Sequence, residues 1–185
     1  DAFLEVLRND HPRQARIDSL EVRETACLHD AETTFEIVAS AGGSAPRPTI
    51  PADLATCGEC LAEINDPQQR RHGYAFTNCT NCGPRYTITD TLPYDRPNTS
   101  MVRFAQCPAC QREYDAPLDR RFHAQPNACP ECGPQLSLLA ADGCPLSVAD
   151  PIAAALQRLC AGGIVAIKGL GGFQLACDAR NDDAV

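Results

Sequence analysis

The sequence is poor in the residues that build large apolar cores. Its 185 residues include no tryptophan, one methionine and only 5% aromatic residues. It has no apolar run long enough to span a bilayer, which takes roughly 18 or more residues, so we expect no transmembrane helix. A chain of this composition is better suited to small modules held together by a bound group than to one large hydrophobic core.

Lysine is almost absent, and positive charge is scarce overall. Lys168 is the only lysine, and the formal net charge is −8. Between positions 57 and 132 the chain has eight arginines against nine acidic residues. Surfaces that bind nucleic acid are usually basic, and a net anion repels nucleic acid and anionic membranes over about a Debye length. We therefore expect neither as a partner.

The N-terminus has neither the basic flank nor the long apolar core of a signal peptide. A cytoplasmic location is expected, and in a reducing compartment paired cysteines favour metal over disulfide. The chain does not begin with methionine, and we expect it to be a fragment of a longer protein.

Cysteine, in contrast, is abundant and regularly spaced. Eight of the 12 cysteines form four Cys-x-x-Cys pairs, and each set of four has the spacing C-x2-C-x18-C-x2-C. The first set is Cys57, Cys60, Cys79 and Cys82, and the second, offset by 50 residues, is Cys107, Cys110, Cys129 and Cys132. This spacing is typical of tetrahedral zinc sites, so we predict two zinc ions per chain.

Four thiolates close the coordination sphere, so the predicted zinc is structural rather than catalytic. Redox dithiols are the alternative, but they do not occur as four pairs in a duplicated array. The spacing leaves open whether ligands pair within each repeat or across repeats. The other four cysteines are predicted to be buried, unreactive thiols: Cys27, Cys144, Cys160 and Cys177.

The duplication extends beyond the cysteines. Matched positions share Glu63 with Glu113, Arg70-Arg71 with Arg120-Arg121, and Gly83-Pro84 with Gly133-Pro134. The arginines could pair with nearby acids, orient neighbouring domains or screen the anionic zinc sites. The glycines suit a positive φ. His72 and His123 do not match in register, so we expect neither to be a metal ligand.

Local patterns predict few regular elements. Before the cysteines they indicate a helix over 1–9, strands over 15–23 and 35–38, and a linker over 41–48. After the first cysteine set they indicate strands over 85–89 and 135–139, a turn at 142–143, a helix over 151–160 with Asp150 as N-cap, and a buried strand over 164–167. Each end of the chain therefore resembles part of an α/β unit.

Lys168 follows the last predicted strand and precedes a glycine-rich turn. An ammonium and backbone amides at such a position could contact a phosphate. The stretch lacks the Gly-Lys-Ser/Thr order of a P-loop, and Gln174 replaces the last glycine of a dinucleotide fingerprint. Lys168 is therefore a candidate contact to a nucleotide or phosphate, and a solvated turn residue is the alternative.

Five stretches resemble the HypF family of nickel–iron hydrogenase maturation carbamoyltransferases. They are 79–88 (CTNCGPRYTI), 93–97 (PYDRP), 119–126 (DRRFHAQP), 166–173 (AIKGLGGF) and 175–181 (LACDARN). The resemblance covers essentially the whole chain. It implies an α+β, multi-domain fragment in which a tandem four-cysteine zinc-finger module is flanked by partial α/β domains. Gln174 departs from the histidine that the family pattern leads us to expect.

By this resemblance, residues 1–40 end an acylphosphatase-like, ferredoxin-like domain. Residues 41–143 hold the fingers, at 57–82 and 107–132, and residues 144–185 begin a YrdC-like domain. The family uses ATP and carbamoyl phosphate to form carbamoyl-adenylate, and then carbamoylates the C-terminal cysteine of its partner HypE for cyanide-ligand synthesis. No catalytic residue is expected in this chain, which by itself should be inactive. The competing interpretation is a free-standing zinc module that binds another protein.

Overall fold

The computed structural model describes residues 2–11, 15, 17–24, 50 and 52–185. Four α-helices are present in these residues: α1 (Ala2–Asn9), α2 (Gly58–Asn65), α3 (Pro108–Asp115) and α4 (Pro151–Cys160). Four short strands are β1 (Leu138–Leu139), β2 (Pro145–Leu146), β3 (Val165–Lys168) and β4 (Phe173–Ala176). This is the small α+β architecture that was predicted around two four-cysteine modules.

The two finger helices repeat the same backbone course 50 residues apart. Helix α2 begins directly after Cys57 and α3 directly after Cys107, and both of these cysteines have extended dihedral angles. Eight residues after the end of each helix, the backbone enters the left-handed region, at Gly73 with φ 67° and at His123 with φ 51°. The duplication therefore fixes backbone conformation as well as cysteine position, even where histidine has to adopt the strained angle.

A small apolar core lies between the two fingers. Its buried members are Tyr74, Ile88, Met101 and Ala128, with Phe76, Tyr94, Phe104 and Cys132 packed against them. The positive φ predicted for the glycines holds for Gly83, at 74°, but Gly133 is not among the positive-φ glycines of the described residues. Gly133 is needed for a different reason, because a Cβ there would lie 2.0 Å from the Tyr74 hydroxyl.

The strand predicted over 85–89 is wrong. Residues Tyr86–Ile88 form a 3-10 turn, and Thr89 makes only an isolated bridge to Thr99. The carboxylate of Asp53 accepts hydrogen bonds from the Tyr86 amide and the Thr87 hydroxyl, both at 2.6 Å. This long-range cap satisfies polar groups that a strand ladder would otherwise use.

The helix predicted over 151–160 is confirmed. The side chain of Asp150 accepts hydrogen bonds from the amides of Ile152 and Ala153, at 2.9 and 3.0 Å, which caps α4. Strands β3 and β4 then form an antiparallel hairpin in which Val165 pairs with Ala176 and Lys168 with Phe173. The strand predicted over 135–139 is reduced to β1, which pairs with β2 around the predicted turn.

Burial in the C-terminal part differs from expectation. The predicted buried strand is largely exposed, since Ile164 is 60% and Ile167 49% accessible. Cys144, Cys160 and Cys177 are exposed as well, so the prediction of buried thiols is wrong for these three. The two-stranded hairpin and α4 provide too few layers within the described residues to enclose them.

At the N-terminal end, α1 confirms the predicted helix. The described residues 15 and 17–23 do not form the predicted strand. The predicted strand over 35–38, the linker over 41–48 and Cys27 lie outside the described residues. None of the helices in the described ranges has the length and apolar character needed to cross a membrane.

Candidate metal centres and their arginine partners

The first cluster is assembled by two tight turns. Cys57 and Cys60 lie at the start of α2. Cys79 directly precedes a 3-10 turn at Thr80–Cys82, and Cys82 is the last residue of that turn. The Sγ atoms of Cys57 and Cys79 are 3.6 Å apart, and those of Cys79 and Cys82 are 3.9 Å apart. The amide of Cys57 also donates to Cys82 Sγ at 3.3 Å, which stabilises negative charge on that sulfur.

The second cluster repeats this arrangement. Its sulfur–sulfur distances are each 3.7 Å for Cys107–Cys129, Cys129–Cys132 and Cys110–Cys132. In both clusters all four Sγ atoms lie within 4.8 Å of one another, and three of the four residues are buried.

These distances fit a zinc ion. A sulfur tetrahedron has edges of about 3.8 Å when its metal–sulfur bonds are about 2.3 Å long. Four soft, mostly buried sulfur donors without an oxygen ligand are the donor set that zinc prefers in structural sites. Each cluster is therefore consistent with one zinc ion, and neither leaves a fourth position for a reacting group.

The clusters form within each repeat, which resolves the two pairings that the spacing had left open. Neither histidine belongs to a metal-binding group among the described residues. His72 is exposed, whereas the His123 ring packs against Tyr114 and Phe122 with centroid distances of 4.8 and 4.7 Å.

The thiols of each cluster titrate as a group because their sulfurs are in contact. A hydrogen bond from Cys60 lowers the pKa of Cys79 to about 4, and the same bond raises the pKa of Cys60. Burial would raise the pKa of Cys129, but hydrogen bonds from the Glu131 and Cys132 amides lower it to about 7. The hydrogen bonds within each cluster therefore lower the pKa of one thiol, Cys79 or Cys129, against the effect of burial.

Both arginine pairs cross to the other finger. Arg70 and Arg71 bind Glu113, with Arg70 Nη2 at 2.6 Å from Oε1. Arg120 and Arg121 bind Glu63, with Arg120 Nη2 at 2.7 Å from Oε1. Two of the proposed roles, ion pairing and screening of the clusters, are combined in the same side chains, because Arg70 also lies 3.3 Å from Cys110 Sγ and Arg120 lies 3.0 Å from Cys60 Sγ.

The acids in these pairs are held ionised. Burial alone would raise the pKa of Glu113, but hydrogen bonds from Arg71 and Arg70 outweigh it and hold the pKa at about 2. Glu63 is affected in the same direction, since Arg121 and Arg120 lower its pKa against the effect of burial. The second arginine of each pair, Arg71 or Arg121, is only 3% exposed and has its charge balanced by the opposite glutamate.

Lys168 lies apart from the clusters. It ends β3, and its Nζ lies 5.0 Å from the ring centroid of Phe173 across the hairpin. The glycine-rich turn that follows is closed by a 2.7 Å hydrogen bond from the Gly169 amide to the Gly172 carbonyl. Lys168 is thus at a strand end before a glycine-rich turn, as predicted, and this turn connects the two strands of a hairpin. Gln174 pairs with Ile167 within the hairpin.

A family model described as the HypF finger matches residues 56–89 and 107–139. Carbamoyltransferase HypF2 of Cupriavidus necator is 58% identical over 98% of this chain. Along nearly its whole length the chain is similar to HypF proteins, and both of its fingers match the HypF finger. The match covers only 22% of the Cupriavidus protein, so the chain spans less than a quarter of that relative's length.

Two solved HypF structures agree with this assignment over 99% of the chain. The crystal structure of T. kodakarensis HypF is 44% identical with a TM-score of 0.80, and the chain covers 22% of it. A full-length HypF in a phosphate- and nucleotide-bound form is 43% identical with a TM-score of 0.80, and the chain covers 23% of it. The resemblance to HypF based on sequence motifs is therefore confirmed.

One structural residue of the HypF fingers was not found by sequence reasoning. Arg96 joins the segment between the fingers to the second finger, and its side chain donates to the carbonyls of Asn127 at 3.0 Å and Phe104 at 2.7 Å. Its amide also donates to the side chain of Gln125 at 2.7 Å. Comparison of the repeats could not reveal it because Arg96 has no arginine 50 residues away. Its position in the PYDRP motif was the only available signal.

Proposed function

We propose that each four-cysteine cluster binds one Zn²⁺ as a structural ion, with Cys57, Cys60, Cys79 and Cys82 as one ligand set and Cys107, Cys110, Cys129 and Cys132 as the other. The observation that carries this proposal is the pair of four-sulfur clusters, in each of which all Sγ atoms lie within 4.8 Å of one another and several sulfur–sulfur contacts are 3.6–3.9 Å. The zinc supplies folding energy and no chemical step, because the ligands fill its coordination sphere.

We further propose that the chain is the central connector of a HypF-type carbamoyltransferase, a cytoplasmic enzyme. The parent protein uses ATP and carbamoyl phosphate to make carbamoyl-adenylate and transfers the carbamoyl group to HypE. Residues 1–40 end its acylphosphatase-like domain, 41–143 hold the fingers and 144–185 begin its YrdC-like domain. A carbamoyltransferase that is 58% identical over 98% of this chain supports the assignment.

A contact between the fingers and the glycine-rich turn supports the connector role. A Cβ placed on Gly171 would lie 3.9 Å from the methyl group of Thr87, in the segment between the fingers. Leu170 lines a cavity of about 770 Å³ together with Phe76 and Ile88. The finger module thus borders the turn beside Lys168 and can hold it in place.

The use of arginine argues against a nucleic-acid role for the fingers. Six of the eight arginines between positions 57 and 132 donate hydrogen bonds to groups within the protein: Arg70, Arg71, Arg85, Arg96, Arg120 and Arg121. Few cations remain for phosphate contacts, and the net charge is negative.

Lys168 is proposed to contact a nucleotide or carbamoyl-phosphate oxygen in the full-length enzyme. Replacing Lys168 by Met keeps the aliphatic stem and removes the ammonium. A charge-assisted phosphate contact is worth roughly 1.5–3 kcal/mol. ATP affinity should therefore fall about ten- to a hundredfold in carbamoyl-phosphate-dependent ATP–pyrophosphate exchange.

The fold should tolerate Lys168→Met, since an exposed cation–π contact contributes only about 0.5–1 kcal/mol. Arg112→Met, which removes an exposed cation of the second finger, serves as the matched control and should leave the exchange unchanged. Unaltered kinetic constants in Lys168→Met protein of normal stability would assign the lysine to the surface only. The isolated chain should show no exchange.

A further inference from the structure

The arginine contacts obey a reciprocal rule. Arg70 belongs to the first finger and donates to Cys110 Sγ of the second at 3.3 Å, whereas Arg120 of the second finger donates to Cys60 Sγ of the first at 3.0 Å. Cys60 and Cys110 are themselves equivalent positions, 50 residues apart. The interface between the fingers is therefore pseudo-twofold symmetric, with each finger donating an arginine to the cysteine cluster of the other.

The buried arginines follow the same exchange. Arg71 Nε donates to the carbonyl of Ala128 at 2.8 Å, and Arg121 Nε donates to the carbonyl of Asn78 at 3.1 Å. Positions 78 and 128 directly precede the third ligand of each cluster, Cys79 or Cys129. Each arginine pair thus contacts both the second ligand and the backbone before the third ligand of the opposite finger.

The charge on each cluster makes these contacts important. A zinc ion with four thiolates carries a net charge of about −2, and most of the sulfurs here are buried. Guanidinium groups at hydrogen-bonding distance neutralise part of this charge in surroundings of low dielectric constant. The cation for each cluster comes from the other finger, and its position depends on that finger being folded.

We propose that each arginine pair positions and stabilises the metal cluster of the opposite finger, so that zinc occupancy of the two fingers is coupled. This inference rests on the proposed structural zinc and goes beyond it. Metal loss from one finger releases the arginines that the other cluster needs, and zinc should leave the two sites together.

The test compares Arg70→Gln and Arg120→Gln, which remove the charge of the more exposed arginine and leave its buried neighbour intact. Arg112→Gln is the matched control, since Arg112 lies two residues after Cys110 and is exposed. Zinc-loaded chains are titrated with a chelator while N-ethylmaleimide labels released thiols. Peptide mass spectrometry then assigns each label to a finger, and native mass spectrometry counts the bound zinc ions.

In the unmodified chain and in Arg112→Gln, two-zinc and zero-zinc species should dominate and both fingers should be labelled together. Arg70→Gln should release zinc from the second finger at about 10- to 100-fold lower chelator concentration, the usual effect of removing a group that supports a metal ligand. Arg120→Gln should do the same to the first finger. Arg70→Lys and Arg120→Lys, which keep a positive charge, should partly restore retention. In each variant the finger opposite the substitution should be labelled first, and the other finger should follow at nearly the same chelator concentration, because it then loses its own arginine partners.

Three outcomes would overturn the proposal. If Arg70→Gln released zinc from its own finger first, the exchange would be wrong. If zinc left earlier but neither finger were labelled ahead of the other, the arginines would only hold the interface together. If the variants behaved as Arg112→Gln does, the sulfur contacts would contribute nothing. Failure to load two zinc ions in the unmodified chain would instead contradict the proposed function.

Discussion

Removal of zinc with a strong chelator at neutral pH is expected to unfold residues 52–139. The apolar cluster between the two fingers has only four buried members, namely Tyr74, Ile88, Met101 and Ala128. Structural zinc contributes on the order of 10–16 kcal/mol of apparent binding free energy per site, which exceeds the usual stability of a small domain. Amide NMR should show collapse of the dispersed signals from both fingers, and added zinc should restore them.

Two cysteine variants separate ligand loss from general damage. Cys79→Ser removes a buried ligand and should act like chelation of the first site, because it leaves three thiolates. Cys160→Ser changes an exposed cysteine at the end of α4 and should retain both zinc ions and the full dispersion. Dispersion that persists across 52–139 after complete zinc removal would show that the core alone is sufficient.

Glu113→Gln is expected to destabilise the zinc-loaded chain by about 2–3 kcal/mol. The substitution leaves the buried Arg71 without its counter-charge, and breaking a buried pair costs about 3–5 kcal/mol when one partner stays behind. The expected loss is smaller because the Glu113 side chain is 21% exposed and glutamine can still accept a hydrogen bond. Urea unfolding at fixed free zinc measures the difference.

Glu131→Gln provides the control, since Glu131 is exposed and lies between the ligands Cys129 and Cys132. It should change the free energy of unfolding by less than about 0.5 kcal/mol. Equal effects of the two substitutions would indicate that the cross-finger pair contributes no more than a surface charge.

The same pair gives a pH dependence with a defined sign. The pKa of Glu113 is about 2 in the folded chain, below its ordinary value of 4.5. The unfolded state therefore binds the proton more tightly, and the stabilisation from Glu113 is present above pH 4.5 and is lost as the pH falls toward 2. Glu113→Gln removes this contribution.

The cysteine sites could be predicted because their geometry is local. A Cys-x-x-Cys turn brings two sulfurs together within four residues, and the duplication made each set visible twice. The limits of α4 were equally local, since Asp150 and Pro151 begin the helix and Gly162 and Gly163 follow it. Which Cys-x-x-Cys pairs combine into one four-sulfur cluster does not depend on local sequence, so only the structure could decide it.

The strand predicted over 85–89 shows where local reasoning failed. Tyr86 and Ile88 would lie on the same face of a strand, yet Ile88 is buried and Tyr86 is exposed. The acceptor that bends the backbone is Asp53, more than 30 residues earlier, and no sequence pattern joins the two. The exchange of arginines is harder still to predict, because ion pairs within one finger would satisfy the same residue types.

The exposed thiols of Cys144, Cys160 and Cys177 reveal a different kind of error. Free cysteine is often buried, so burial was a reasonable expectation. It failed because α4 and the β3–β4 hairpin have no fully buried residues of their own among the elements described. Composition can indicate that a residue suits a core, but it cannot show whether enough surrounding structure is present to form one.

Native mass spectrometry of the chain, expressed without chelator and with its thiols shown to be intact, tests the central claim most directly. Two closed four-thiolate sites predict a mass that corresponds to two zinc ions per chain, and Cys79→Ser should lower the zinc content while Cys160→Ser should not. A stoichiometry of one or zero zinc ions in the unmodified chain would contradict the account.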